Sequence, residues 1–115
     1  MNKTNVEISN LPKYCNEALI LAVLARGDRH GYQLAIEIEE MSDGLFKFNH
    51  GTLYPILHKL EKENLIKGLW EKSDTQRKRK YYSITRKGKN YFYQQKAELE
   101  HFLSTFIGII GEKKK

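Results

Sequence analysis

The chain lacks most of the features that secreted, disulfide-stabilised and membrane-spanning proteins share. It has a single cysteine, Cys15, so no internal disulfide can form. Its longest uninterrupted apolar run, Ala18 to Ala25, is far shorter than the ~20 residues that cross a bilayer. No charged and then apolar leader with a small-residue cleavage site opens the sequence. We therefore expect a cytoplasmic protein with no membrane partner.

The residue patterns of enzymes and metal proteins are also missing from the sequence. His30, His50, His58 and His101 do not have the spacing of metal ligands, and no glycine-rich phosphate-binding loop is present. Cys15 has no partner that is evident from the sequence. We expect no enzyme activity, no metal and no cofactor.

Positive charge is what the chain has in excess. Its 115 residues include 20 Lys and Arg against 14 Asp and Glu, which gives a net charge of +6 and a pI near 9.4. This balance favours a polyanionic partner. On charge alone, nucleic acid and an anionic membrane surface are both open, and the short apolar run weakens the membrane option. With 40% hydrophobic residues, the length suits one domain close to the size at which partners add stability.

Two helices are predicted in the first half of the chain, after an N-terminal arm over residues 1–12. Lys13 to Gly27 has the apolar density of a helix surrounded by others, and Gly27 is predicted to close it. Asp28 to Gly31 is predicted to form a turn. A second helix should follow and end near Asp43 and Gly44, because apolar residues recur at helical spacing: Leu34, Ile38 and Met41.

The stretch from Asn49 to Leu65 predicts a short helix with two chemically different faces. One face is apolar, at 100° per residue, and carries Leu53, Ile56, Leu57 and Leu60. The other mixes small, aromatic and basic groups, which is typical of a helix that enters a DNA groove. The candidate DNA-binding residues of this segment are Asn49, His50, Gly51, Thr52, Tyr54, Pro55, His58, Lys59 and Lys62. A solvated helix with incidental lysines is the alternative interpretation.

Two starting points are open for this central helix. Leu45 to Phe48 alternates in polarity and predicts a short strand or extended connector before it. If Thr52 is the N-cap, Pro55 lies in the first turn, where its missing N–H costs little. If Asn49 is the N-cap, Pro55 should distort the helix near Gly51. The Asn49 start is slightly favoured.

Two strand-like runs follow the helix and predict a hairpin. Asn64 can take the left-handed conformation at the helix end, and Ile66 to Lys72 and Lys80 to Thr85 are rich in aromatic and branched residues. Ser73 to Arg79 is predicted to be a loop between them. Three helices and a two-stranded hairpin make a winged helix-turn-helix, mainly α with a small β-hairpin (α+β).

The hairpin region carries the local charge excess. Nine basic residues lie between Lys67 and Lys89 against only Glu71 and Asp74, a local net charge of +7 that exceeds that of the whole chain. Such an excess is typical of a wing that contacts DNA phosphates, although a charge run is often only a solvated loop. The candidate wing residues are Gln76, Arg77, Lys78, Arg79 and Lys80.

A last helix is predicted after Thr85, which is a suitable N-cap. Its apolar stripe is larger than packing on its own domain requires, so part of it should be buried against a second subunit. The candidate dimer-interface residues are Tyr91, Phe92, Leu99, Phe102, Leu103, Phe106 and Ile110.

Several of these segments resemble the PadR family of bacterial transcriptional regulators, over roughly Leu19 to Phe92. The resemblance depends on the order and spacing of several motifs. They are Leu21 to Leu24 leading to His30-Gly31-Tyr32, Gly51-Thr52-Leu53-Tyr54-Pro55 with Leu60-Glu61, Trp70, and Arg79 to Thr85 with Gly88. Asn64 stands where the family commonly has glycine, which is a minor departure.

The resemblance implies a dimeric repressor whose third helix reads double-stranded DNA and whose C-terminal helix swaps across a homodimer. The operator would be a pseudo-palindrome, and a small aromatic or hydrophobic effector would bind near the dimer interface, between the first and last helices. Aromatic residues there are, however, more often plain interface core. The chain would belong to the short subgroup with a single C-terminal helix. The expected organisation is an arm (1–12), a winged helix-turn-helix domain (13–86), a dimerisation helix (87–112) and a basic tail (113–115).

A winged helix that only contacts proteins is the serious alternative, because a fold does not determine its function. The basic wing argues against this alternative. A steep loss of duplex affinity with added salt would favour DNA binding, and no duplex binding at low salt would favour protein contact.

Overall fold

The computed structural model describes residues 6–7, 11–48, 51–71 and 79–111 of the chain. The candidate residues Asn49, His50, Gln76, Arg77 and Lys78 lie outside these described residues. In chain order the elements are β1 (Val6–Glu7), α1 (Lys13–Leu24), β2 (Arg29–His30), α2 (Gly31–Met41), β3 (Phe46–Lys47), α3 (Leu53–Lys62), β4 (Ile66–Glu71), β5 (Arg79–Ile84) and α4 (Arg86–Ile110).

The first three helices enclose the hydrophobic core. Leu21 on α1, Leu34 on α2 and Leu57 on α3 are each fully buried and belong to one contiguous cluster. The hairpin closes this cluster with Ile66 and Tyr82, which are also buried. The predicted helix-helix-helix-hairpin order is therefore confirmed, and the protein has the α+β winged helix-turn-helix architecture with a C-terminal helix.

The hairpin strands β4 and β5 belong to a three-stranded antiparallel sheet with the strand order β2-β5-β4, in which β5 is the central strand. Strands β4 and β5 pair from Ile66 with Ile84 to Glu71 with Arg79, while Arg29 and His30 of β2 pair with Tyr82 and Tyr81. The prediction of a plain turn at Asp28–Gly31 was therefore wrong in part. Two of its residues form the third strand, and Gly31 is already the first residue of α2.

An ion pair fixes β2 against α2. Arg29 donates from Nε to Glu37 Oε1 at 2.6 Å and from Nη2 to Glu37 Oε2 at 3.0 Å. These hydrogen bonds, donated by Arg29, lower the pKa of the Glu37 carboxyl and raise the pKa of Arg29. Such a bidentate fork defines both the position and the orientation of its partners, so the middle of α2 is held next to β2.

Of the two alternatives predicted before the central helix, a short strand or an extended connector, the structure has the strand. β3 pairs in parallel with β1, so that Val6 lies opposite Phe46 and Glu7 opposite Lys47. Residues of the N-terminal arm therefore contact the body of the domain.

Thr85 begins α4 as predicted. Its Oγ1 accepts a hydrogen bond from the Gly88 N–H at 2.9 Å and donates to Asn64 O at 2.7 Å. Gly88 is buried against the Leu65 carbonyl, where a side chain would not fit. Asn64 has the left-handed φ of 63° that was predicted at the end of α3. These contacts attach the first turn of α4 to the end of α3.

Candidate nucleic-acid interface

Helix α3 separates its two faces as predicted. Leu53, Leu57 and Leu60 are buried in the core, and Ile56 is partly buried against it. The opposite face is exposed to solvent and carries Gly51, Tyr54, Pro55, His58, Lys59 and Lys62. A helix face that is fully accessible, polar and basic has the properties that entry into a DNA groove requires.

The start of α3 follows the Thr52 alternative, so the slightly favoured Asn49 start was wrong. Thr52 occupies the N-cap position, and Pro55 is the third residue of the helix, within its first turn. The φ of +83° at Gly51 turns the chain into the helix, a conformation that strongly favours glycine. The proline therefore needs no distortion, because N–H groups of the first turn have no intrahelical acceptor. The Thr52 side chain makes no capping hydrogen bond.

Lys80 connects the hairpin to α3. Its Nζ donates to Glu61 Oε1 at 3.1 Å and lies 5.5 Å and 5.4 Å from the ring centroids of Trp70 and Tyr82. Burial is the largest single influence and lowers the pKa of Lys80, but the hydrogen bond to Glu61 and the electrostatic interactions with Tyr82 and Glu61 together outweigh it, so the pKa is raised. A Cβ at Gly68 would collide with the Lys80 stem, so the glycine makes room for the pair. The sequence analysis treated Lys80 as a phosphate contact and did not foresee this partner.

Arg79 has a different environment. Its guanidinium lies over the Tyr32 ring, 5.9 Å from the centroid, and Nη1 lies 3.5 Å from the Tyr32 hydroxyl oxygen. Within the described ranges, no carboxylate forms an ion pair with Arg79. Among the described residues, Arg79 therefore differs from Lys80, whose ammonium group is paired with Glu61.

Aromatic residues that the sequence analysis did not place in the site complete this surface. The His30 ring stacks on Tyr81 at 4.7 Å and on Tyr32 at 5.8 Å between centroids, and its Nε2 lies 3.0 Å from Glu71 Oε1. Trp70 is 64% exposed on the hairpin. His30, Tyr32 and Trp70 all belong to the motifs quoted for the family resemblance. Those motifs were the only feature of the sequence that could have placed these residues in the site.

The apolar stripe of α4 divides into two parts. Tyr91 and Phe92 pack against the domain core, and Tyr91 donates a 2.8 Å hydrogen bond to the buried Glu17 carboxylate. Burial and this bond raise the pKa of Tyr91 to about 12. Leu99 is partly buried, whereas the following predicted interface residues are exposed: Phe102, Leu103, Phe106 and Ile110. Ile107 and Ile109, which the sequence analysis did not include, are also exposed.

The described residues contain no cluster of His, Cys, Asp or Glu side chains that could hold a metal ion. None of the helices among them is both long and apolar enough to cross a membrane.

The profile of the Transcriptional regulator PadR-like family matches residues 20–94. The chain belongs to the PadR-like family. This assignment confirms the predicted resemblance, and the matched range contains α3, the hairpin and the first turns of α4.

Individual relatives agree with the PadR-like assignment. A PadR family transcription regulator from Clostridium difficile is 30% identical, with a TM-score of 0.72 over 83% of this chain and 97% of that one. The transcriptional regulator YqjI of Escherichia coli is 29% identical over 82 residues, which are 71% of this chain and only 38% of YqjI. Bacillus subtilis PadR, in a structure with operator DNA, is 22% identical, with a TM-score of 0.62 over 86% of this chain and 49% of that one, and shows the shared fold.

Proposed function

We propose that this PadR-like protein is a sequence-specific DNA-binding regulator of transcription, acting in the cytoplasm as a homodimeric repressor that a small molecule releases. The observation that carries the proposal is the exposed face of α3, which carries Tyr54, His58 and Lys62 on a helix that the Glu61–Lys80 bond joins to the hairpin. A relative whose structure contains operator DNA has the same fold, which supports DNA as the partner.

In this proposal α3 reads base edges and the hairpin contacts the DNA backbone. Thr52 and His58 have accessible polar atoms on a helix narrow enough for the major groove. Arg79 would bind a phosphate, together with residues 76–78 of the wing. Lys80 would contribute less direct affinity, because its ammonium group is already paired with Glu61.

The second half of α4 is proposed as the dimer contact. Phe102, Phe106 and Ile109 are 49%, 50% and 77% exposed, a large apolar surface to leave in water. A two-fold dimer would present two copies of α3 to one side of B-DNA. The operator should then be a pseudo-palindrome with half-sites about one helical turn apart, ~34 Å, or a multiple of that.

The proposed effector site lies between α1 and α4. A cleft of about 210 Å³ there is lined by Tyr14, Gln95, Glu98, Leu99 and Phe102. The rings of Tyr14 and Phe102 meet edge to face at 6.2 Å between centroids. An aromatic or hydrophobic molecule inserted here would displace part of the helix proposed to join the subunits. Effector binding could in this way cause release of the DNA.

The salt dependence of duplex binding tests the DNA-binding function. A duplex recovered by selection from a random-sequence pool is titrated from about 50 to 200 mM salt, with a scrambled duplex as control. Log affinity should fall linearly with log salt for both duplexes, and the selected duplex should remain tighter throughout. No duplex binding at low salt would contradict the proposal and favour a protein-contact module.

A further inference from the structure

Strand β4 lies at one edge of the three-stranded sheet, and no strand in the described part of the chain pairs with its outer side. It is six residues long, from Ile66 to Glu71, and contains no proline. An edge strand of this kind presents a row of backbone N–H and C=O groups, which is a template for pairing with another chain. Two large apolar side chains on it are also exposed, Leu69 at 49% and Trp70 at 64%.

The hydrogen-bonding pattern of the hairpin determines which groups face this free edge. The Thr85 N–H donates to Leu65 O at 3.1 Å, so these two residues form a hydrogen-bonded pair. Opposite residues in an antiparallel ladder alternate between hydrogen-bonded and non-hydrogen-bonded pairs. With the register observed between β4 and β5, every second residue of β4 from Lys67 onward directs its backbone groups to β5. The residues whose backbone groups point to the free edge are then Ile66, Gly68 and Trp70.

The sequence of β4 is complementary to itself in the antiparallel direction. If two copies pair about a two-fold axis at Leu69, Lys67 of each copy lies opposite Glu71 of the other. Gly68 of each copy then lies opposite Trp70 of the other, and these are residues whose backbone groups point outward. Moving the axis by one residue in either direction would place Lys67 or Glu71 opposite Leu69. The register centred on Leu69 therefore satisfies the charges and the backbone together.

The side chains that meet in this register are suited to each other. The Lys67–Glu71 and Leu69–Leu69 pairs would be non-hydrogen-bonded pairs, in which the side chains lie closest. Lys67 is exposed and belongs to none of the ion pairs within the described ranges. The Glu71 side chain contacts His30 through Oε1 and is 39% exposed. A lysine on an edge strand normally opposes pairing, and here the second copy would supply the opposite charge.

We infer that β4 pairs antiparallel with β4 of a second copy of this chain, in the register centred on Leu69, and joins two hairpin sheets into one six-stranded sheet. This contact goes beyond the proposed function, because it uses a different surface from α4. If α4 joins two chains, β4 would join one such dimer to the next. One short strand buries little surface, so we expect association at about 0.1–1 mM chain, well above the micromolar range.

The contact is measured most simply in full-length Phe106→Glu, in which the proposed α4 contact is removed. Sedimentation equilibrium should show a reversible change from one chain to two as the concentration rises to about 1 mM. A two-chain mass in this variant reports the β4 contact alone.

Charge reversal in the Phe106→Glu background tests the register. Lys67→Glu would bring two carboxylates together at each pair, and Glu71→Lys would bring two ammonium groups together. Each change alone should therefore weaken association at least about tenfold. An equimolar mixture of the two variants restores opposite charges at both pairs and should recover most of the original association.

A second pair of variants repeats this test on the two-fold axis. Leu69→Glu and Leu69→Lys should each associate weakly alone, because like charges would face each other, and should associate when mixed. Leu69 is half-exposed, so these variants provide a test even if Glu71→Lys, which loses the His30 contact, folds poorly. Lys96→Glu makes the same charge reversal at an exposed position of α4 and is the control, with association expected to be unchanged.

Amide hydrogen exchange gives a readout that depends on the pairing of the backbone. As the concentration rises, exchange at the outward-pointing N–H groups of Gly68 and Trp70 should slow. Exchange at Lys67 and Leu69, whose N–H groups point to β5, should stay the same.

Several outcomes would overturn the inference. Phe106→Glu could remain a single chain up to about 1 mM, although one paired strand should give weak association in this range. The variants at Lys67, Leu69 and Glu71 could associate as tightly as their parent, which would locate the contact elsewhere. Mixtures that associate no better than their components would contradict the register. None of these results depends on duplex binding, so the proposed DNA-binding function stands or fails separately.

Discussion

Helix α3 and the second half of α4 both leave one face uncovered, and the two faces have opposite chemistry. On α3 the exposed groups include Tyr54, His58 and Lys62, whereas on α4 they include Phe102 and Phe106. Exposed basic groups are well hydrated and can bind an anion, whereas exposed apolar groups are stabilised by removal from water. The two faces therefore suit the two partners proposed above, a polyanion for α3 and an apolar surface for α4.

The contrast continues within α4 itself. Its first turns are attached to the domain through Gly88 and Tyr91, while residues 101–111 are all exposed. The same helix thus packs on the domain at its N-terminal end and projects from the domain at its C-terminal end. A truncation after Lys89 would remove Tyr91 and Phe92 from the core as well as the projecting end. Point substitutions in the projecting end therefore separate assembly from folding more cleanly.

The largest effect is expected from a charge in the α4 stripe. Phe106→Glu should weaken the proposed homodimer by at least about 3 kcal/mol, because a carboxylate would have to be buried without a partner. Light scattering at micromolar concentration should then show a monomer. Ser104→Glu adds the same charge to an exposed position on another face of α4 and should leave the dimer intact. A monomeric wild-type protein, or equal effects of both substitutions, would contradict the assignment of this stripe.

The α3 side of the comparison is tested by His58→Ala and Thr52→Ala. Each should lower specific duplex affinity by about 1–3 kcal/mol and leave nonspecific affinity almost unchanged. The melting temperature should also stay close to the wild-type value, since His58 is exposed and Thr52 makes no capping bond. A parallel fall in melting temperature and in both affinities would assign these side chains a structural role instead.

The attached end of α4 is tested by Tyr91→Phe. The buried Glu17 carboxylate would lose its 2.8 Å hydrogen bond, which should lower the free energy of unfolding by about 1–3 kcal/mol at neutral pH. Tyr93→Phe, on an exposed ring of the same helix, is the control and should have no effect. Denaturant titrations of the two variants measure the difference, and equal stability would refute the structural role of the Tyr91–Glu17 bond.

The same tyrosine predicts a pH dependence. Because the pKa of Tyr91 is raised from 10.0 to about 12 in the folded protein, the folded state holds its proton more tightly than the unfolded state does. The stability associated with this proton is fully present below pH 10 and is lost as the pH rises towards 12. Between pH 9 and 11.5, unfolding experiments at about half-unit steps should therefore show a steeper decline for the wild type than for Tyr91→Phe. Parallel declines would contradict the raised pKa.

The smallest effect concerns Lys80. Lys80→Met keeps an apolar stem between the Trp70 and Tyr82 rings and removes a charge that Glu61 already balances. Loss of the Lys80–Glu61 ion pair should lower the free energy of unfolding by at most about 1 kcal/mol, because both side chains are partly exposed. Both substitutions should make the salt dependence of duplex binding shallower. For Arg79→Gln we expect the slope to change by about one unit, and for Lys80→Met by less. Equal slopes for the two variants would contradict the distinction between them.

Local patterns in the sequence predicted the features that depend on neighbouring residues. The spacing of Leu53, Leu57 and Leu60 identified the buried face of α3, and the residue types identified Asn64 as left-handed and Thr85 as an N-cap. Each of these outcomes is determined within one or two turns of a helix. The family resemblance also depended on local motifs, and it was confirmed.

Pairings between distant segments could not be predicted in the same way. Arg29 and His30 form a strand only because Tyr81 and Tyr82, some fifty residues later, provide the partner backbone. The Lys80–Glu61 bond likewise depends on how the hairpin packs on α3. Hydrophobic periodicity contains no information on such pairs, so a residue counted as a free wing cation proved to be paired. The same limit explains why Tyr32 and Trp70 were not placed near the interface.

The mass of the protein–duplex complex tests most directly whether α3 and α4 have separate partners. Native mass spectrometry of the selected duplex with the wild type, Phe106→Glu and Ser104→Glu measures the number of chains bound. The wild type and Ser104→Glu should give two chains on one duplex, and Phe106→Glu should give free protein or one weakly bound chain. A wild-type complex with one chain per duplex, or two chains bound by Phe106→Glu at unchanged affinity, would contradict the account.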